Sequence, residues 1–126
     1  MRKKILVVDD DDSVRKSISY ALQLKGGFET LEAEDGLVGL ELARRHHPDL
    51  IISDVMMDHF DGYRLLETLK ENPETADIPI IMMTVQAERN RERETGAPVE
   101  YLAKGFSLTT LLESVRSILH LPSTPK

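Results

Sequence analysis

The sequence contains no cysteine, which removes disulfides, thiolate catalysis and cysteine-ligated zinc together and fits a reducing compartment. A basic excess is missing too: 16 Lys and Arg stand against 22 Asp and Glu, a formal net charge of −6. That balance leaves no electrostatic footprint for nucleic acid, whereas an acidic cleft would welcome a hard cation. There is no long apolar run either. The N-terminus offers only Ile5, Leu6, Val7 and Val8 before four aspartates, too short for a signal peptide or a membrane span. These absences make the cytoplasm the expected location and a membrane an unexpected partner. Nor does the first apolar run lead into a Gly-x-Gly-x-x-Gly turn, so a dinucleotide-binding reading fails at its first step.

What is present suits one compact domain. A chain of 126 residues, 40% of them hydrophobic, can bury one core and is too short for two. We expect the domain to fill residues 1–121, with the aperiodic stretch at 122–126 as a tail or the start of a linker. Apolar runs bounded by polar or turn residues predict strands at 5–8, 28–33, 50–53, 78–84 and 99–103. Helical patterns lie between them: 13–25 closed by Gly26 and Gly27, 37–47 closed by Pro48, and 62–72 closed by Pro73. A last helix starts at Leu108 and carries the stripe Leu111, Leu112, Val115, Ile118 and Leu119. Strands alternating with helices imply a parallel α/β sheet covered on both faces, because parallel neighbours need right-handed crossovers. One helical position breaks the pattern. Residues 86–95 hold a single apolar side chain, Ala87, and like-charged pairs Glu88/Glu92 and Arg89/Arg93, so a short or mobile helix is expected there.

Polar residues follow the strands. Asp9 and Asp10 leave the first, Asp54 the third, Thr84 the fourth and Lys104 the fifth. In a parallel sheet these ends share one edge, where ligands bind, so side chains scattered from position 9 to position 104 converge. Three neighbouring carboxylates repel one another unless a cation neutralises them. All-oxygen ligands with several waters suit Mg²⁺, and Mn²⁺ could substitute. An aspartate so placed can attack phosphorus to give an acyl phosphate, with the Lys104 ammonium and the Thr84 hydroxyl holding the phosphoryl oxygens. Taken alone, Asp9 to Asp12 also reads as a helix-capping cluster ahead of Ser13. Met56, Met57, Met82 and Met83 read as core residues, since thioethers are poor partners for a hard cation.

Four stretches carry a resemblance: ILVVDDDD at 5–12, PDLIISDVMM at 48–57 with Asp61, Gly62 and Tyr63 after it, IPIIMMT at 78–84, and YLAKGF at 101–106. Together they resemble the response-regulator receiver domains of two-component signalling, the family that includes the single-domain chemotaxis regulator. The resemblance covers nearly the whole chain. It implies a flavodoxin-like (βα)5 three-layer sandwich whose five parallel strands run in the order 2-1-3-4-5. It further implies Asp54 as phosphoacceptor, with Asp10, Asp54 and the Met56 backbone carbonyl as Mg²⁺ ligands and Asp9 binding the metal directly or through water. Thr84 and Lys104 would contact the phosphoryl group, and Tyr101 would change rotamer with Thr84. Met56 and Gln86 are the implied tuners of phosphoryl lifetime. The implied donor is a histidine kinase or a histidine phosphotransfer protein, and the implied receiver of the signal is an output domain or effector protein. Such a domain assists its own phosphorylation and dephosphorylation without being an enzyme. A competing reading is a receiver-fold adaptor that binds a partner without phosphorylation. An aspartate-nucleophile hydrolase would resemble Asp-x-Asp, where this chain has Asp54, Val55 and Met56.

The chain departs from the family pattern at three places. Asp58 and His59 stand where that pattern usually has proline and glycine. Gly105 replaces the proline that usually follows the lysine in a cis peptide; a non-proline cis bond costs about 2.5–4 kcal/mol, so a trans bond or a glycine-adapted turn is expected. The segment at 86–95 is shorter than the resemblance leads one to expect.

Overall fold

The computed structural model describes residues 2–57, 60–84, 99–103 and 105–121. Its elements are β1 (Lys4–Val8), α1 (Asp12–Gly26), β2 (Glu29–Ala33), α2 (Gly36–His46), β3 (Leu50–Asp54), α3 (Gly62–Glu71), β4 (Ile80–Thr84), β5 (Val99–Ala103) and a last helix, numbered α4 (Leu108–Ile118). The expected weak helix at 86–95 lies outside the described residues.

The strands form one sheet, every pair parallel, in the order β2-β1-β3-β4-β5. Side chains on a strand alternate between faces, and here the alternation feeds two separate cores. Ile5, Val7, Leu50, Ile52, Ile81 and Met83 pack with Ile18 and Leu22 of α1 and Leu111, Leu112 and Val115 of α4. On the opposite face, Leu6, Val8, Ile51, Ile80 and Met82 pack with Ala43 of α2 and Leu65, Leu66 and Leu69 of α3. Each fully buried aliphatic chain contributes about 1.5–3 kcal/mol. Strands β1, β3 and β4 are thus buried on both faces, as their continuous apolar runs predicted. The edge strand β2 differs, with Glu29 and Glu32 exposed.

Several boundaries shift by a residue or two from those expected, and three of the shifts have a plain local reason. The backbone N–H groups of Gly27 and Phe28 bond to the carbonyls of Gln23 and Leu22 at 3.2 and 3.1 Å, closing α1 with a left-handed turn. Phe28 has spent its donor there, so β2 starts at Glu29. Pro79 has no N–H to give a ladder, and the Ile78 N–H bonds to the Thr75 carbonyl; β4 therefore starts at Ile80. Asn72, which precedes Pro73, takes an extended backbone with φ −107°, ending α3 at Glu71.

The ladder register sets the site. Val8 pairs with Ser53, Asp54 with Met83, and Thr84 with Ala103. Asp9, Asp54 and Thr84 therefore reach the same sheet edge within about one residue of one another.

Candidate functional site

Asp9 is the first residue beyond β1, anchored by its N–H to the Ala33 carbonyl at 3.1 Å, and it is fully buried. Asp10 is exposed. Asp54 ends β3 and is 4% exposed, with one carboxylate oxygen accepting from the Met56 N–H at 3.3 Å. Carboxylate oxygens from Asp9, Asp10 and Asp54 all lie within 4.8 Å of one another. Thr84 ends β4 and is buried. It follows Met83, the ladder partner of Asp54, so its strand flanks the acidic group. Lys104, expected as the cationic member, lies outside the described residues, as do Asp58, His59 and Gln86. Its chain neighbour Ala103 pairs with Thr84.

The donor set fits a hard divalent cation. It is all oxygen, it carries three formal negative charges, and two of its members are withdrawn from water, where uncompensated charge is costly. Thioether ligation is excluded for Met57, Met82 and Met83 by their places in the two cores. Met56 corrects the reading of the four methionines as core: its residue is 72% exposed, because the chain has already left the sheet at that point.

Consecutive aspartates divide the work at the end of β1. Asp9 and Asp10 belong to the acidic group, and Asp9 also accepts the Asp11 N–H at 2.9 Å. Asp11 is the α1 N-cap, accepting from the Ser13 and Val14 N–H groups at 2.9 and 3.2 Å. Asp12 pairs with Arg15. The capping reading and the site reading are both true, for different members of the run.

Tyr101 pairs with Met82 across the β4–β5 ladder and is half-buried against the α2/α3 core, its hydroxyl out of solvent. Gly105 has φ +99°, a conformation closed to proline, whose ring holds φ near −65°. The glycine-adapted turn expected at this departure is therefore present. The Lys104–Gly105 peptide itself lies outside the described residues.

The family model of the response regulator receiver domain matches residues 5–116. This chain belongs to that family. The receiver domain is 31% identical to the polar-differentiation response regulator DivK of Brucella ovis, over 94% of this chain and 98% of DivK. It is 34% identical to the DNA-binding dual master transcriptional regulator RpaA of Synechocystis over 92% of this chain, which spans only 48% of RpaA. The chain thus spans about half the length of several curated relatives it matches. Among solved structures, the chemotaxis protein CheY4 of Vibrio cholerae superimposes with a TM-score of 0.85 at 31% identity, covering 94% of this chain and 99% of that one. The order of strands and the layering are those of that fold. The receiver domain is accordingly a signalling module of two-component systems and not an enzyme of the usual kind. No helix among the described residues is long and apolar enough to cross a membrane.

Two residues that bear on the site escaped the sequence reading. Arg15, on the buried stripe shared with Ile18, Ser19 and Leu22, is 8% exposed and donates to the Asp9 carbonyl at 2.8 Å. The sequence signal was its i,i+3 spacing from Asp12 together with its place on an otherwise inward-facing stripe. Gly62 sits against the backbone of Asp54 and Val55, and its N–H donates to the Val55 carbonyl at 2.9 Å. Its presence in the Asp61-Gly62-Tyr63 motif was visible, but that contact was not.

Proposed function

We propose that the receiver domain is a phosphorylation switch in which Asp54 accepts a phosphoryl group from a phosphohistidine donor. The observation that carries the reading is the meeting of Asp9, Asp10 and Asp54, from two adjacent strands, within 4.8 Å. Mg²⁺, or Mn²⁺ in its place, would be held by Asp10, Asp54, the Met56 carbonyl and Asp9, directly or through water, and would offset charge on the phosphoryl oxygens.

An oxygen of the Asp54 carboxylate forms a bond to phosphorus while the bond to the donor's imidazole nitrogen breaks, and that electron pair leaves with the imidazole. No general base is needed, because Asp54 is attacking as a carboxylate. The Thr84 hydroxyl and the Lys104 ammonium take the phosphoryl oxygens, and Tyr101 follows Thr84 to alter the surface read by an output domain or effector protein. Met56 and Gln86 set how readily water reaches the acyl phosphate. The donor is a histidine kinase or histidine phosphotransfer protein, met in the cytoplasm. A surface pocket lined by Ser13, Ser17, Met83, Gly105 and Phe106 supports an approach of the donor beside α1.

The test is intact-mass measurement after incubation with a small acyl-phosphate donor and Mg²⁺. One base-labile phosphoryl adduct is expected, located at Asp54 and absent from Asp54→Asn. No adduct under these conditions would leave the adaptor reading in its place.

A further inference from the structure

Asp10 is exposed, and among the described residues its carboxylate has no hydrogen bond or ion pair to hold it. Its aim therefore depends on its backbone. On the C-terminal side, the Asp11 N–H is held by the Asp9 carboxylate. On the N-terminal side, the Asp9 carbonyl is held by Arg15 Nη1 at 2.8 Å. We propose that Arg15 is a positioning residue for the acidic group, fixing the Asp9–Asp10 peptide so that Asp10 faces Asp54. The proposal rests on the reading of Asp10 as a metal ligand.

The guanidinium is suited to that task by its rigidity. Its Nε donates to Glu32 of β2 at 3.1 Å and its Nη2 to Asp12, so the planar fork cannot turn away from the Asp9 carbonyl without losing two charge-assisted bonds. Strand β2 and helix α1 thereby hold one peptide jointly. Burial works against the charge of Arg15, but its bonds to Asp12 and Glu32 and their charges outweigh burial and raise its pKa above the ordinary arginine value. The fork stays fully protonated.

Removing the guanidinium alone leaves the exposed Asp12 and Glu32 to solvent but takes a buried bond from the Asp9 carbonyl, so some stability is lost whichever role Arg15 plays, and Mg²⁺ affinity is the readout that a merely structural role would not move. Helix α1 does not need Arg15 for its start, which Asp11 caps. Arg15→Met separates the two roles, because it keeps a long apolar stem and removes the fork. The measurement is calorimetric titration of the full chain with MgCl₂ alone, alongside thermal unfolding in EDTA.

The expected result is a folded R15M protein whose Mg²⁺ affinity falls by about tenfold or more, the range for residues that orient metal ligands. Folded R15M with unchanged affinity would overturn the role of Arg15 while leaving the site reading intact. Absence of Mg²⁺ binding by the unsubstituted chain would overturn the site reading, and this proposal with it. Should R15M not fold, Glu32→Ala decides. It leaves the guanidinium and removes its β2 anchor, so a several-fold loss of affinity supports the proposal and an unchanged affinity ends it.

Discussion

A Cβ atom added to Gly62 would overlap the backbone carbonyl oxygen of Asp54 and stand 3.0 Å from the Cα of Val55. The start of α3 is thus laid directly on the backbone that carries the candidate phosphoacceptor. Backbone cannot yield as a side-chain tip can, so Gly62→Ala must move α3, the end of β3, or both. We expect a loss of about 1–3 kcal/mol in urea unfolding and slower phosphorylation of the protein that remains folded. Unchanged stability with unchanged phosphorylation would contradict this packing.

The acidic group should oppose folding when no cation is present. Asp9 and Asp54 are both buried, with carboxylate oxygens within 4.8 Å, and like charges so placed repel. Asp54→Asn should raise stability in EDTA by about 1–3 kcal/mol at the effective dielectric of such sites. Mg²⁺ should then stabilise the unsubstituted chain more than the variant, since stabilisation by a ligand grows with the logarithm of its concentration over Kd and the intact site binds more tightly. Urea titrations with EDTA and with MgCl₂ check both halves, and a less stable variant in EDTA would refute the first.

Asp11 tests the division of labour in the aspartate run. Its carboxylate caps α1 through the Ser13 and Val14 N–H groups. Asp11→Ala should cost about 1 kcal/mol of stability and leave Mg²⁺ affinity within a factor of about two. Thermal unfolding and calorimetry on the same sample distinguish this from Asp10→Ala, which should do the reverse.

Gly105 gives a conformational test. With φ +99°, the position is strained for any residue with a Cβ and inaccessible to proline. Gly105→Ala should cost about 1–2 kcal/mol, and Gly105→Pro more, although proline is the usual family residue here. A stabilised proline variant, seen as a higher urea midpoint, would show that the turn readily adopts the family conformation.

Much of this was legible in the sequence because a parallel sheet turns sequence order into geometry. Asp9, Asp10, Asp54 and Thr84 could be placed together from strand ends alone, and the strand order followed from the resemblance. The rest depends on contacts between elements that no local pattern encodes. Nothing in the run of four aspartates says which one caps α1 and which belong to the site; that division is seen only in their contacts, Asp11 with the α1 amides and Asp9 and Asp10 with Asp54. The burial of Arg15 needs Glu32, which lies on another element, and the demand for Gly62 comes from its close approach to the backbone of Asp54 and Val55. Strand starts at 28 and 78 were misjudged because Phe28 and Ile78 give their N–H groups to neighbouring turns. Lys104 and the segment at 86–95 remain expectations of the sequence.

Within the described sheet, the two cores share strands but divide their side chains. A change at Ile5 or Val7 is felt by α1 and α4, and a change at Leu6 or Val8 by α2 and α3. A substitution on one flank is therefore met first by the helices of that flank. A lineage can retailor one side toward a new correspondent while the opposite side and the acidic edge between them stay as they were.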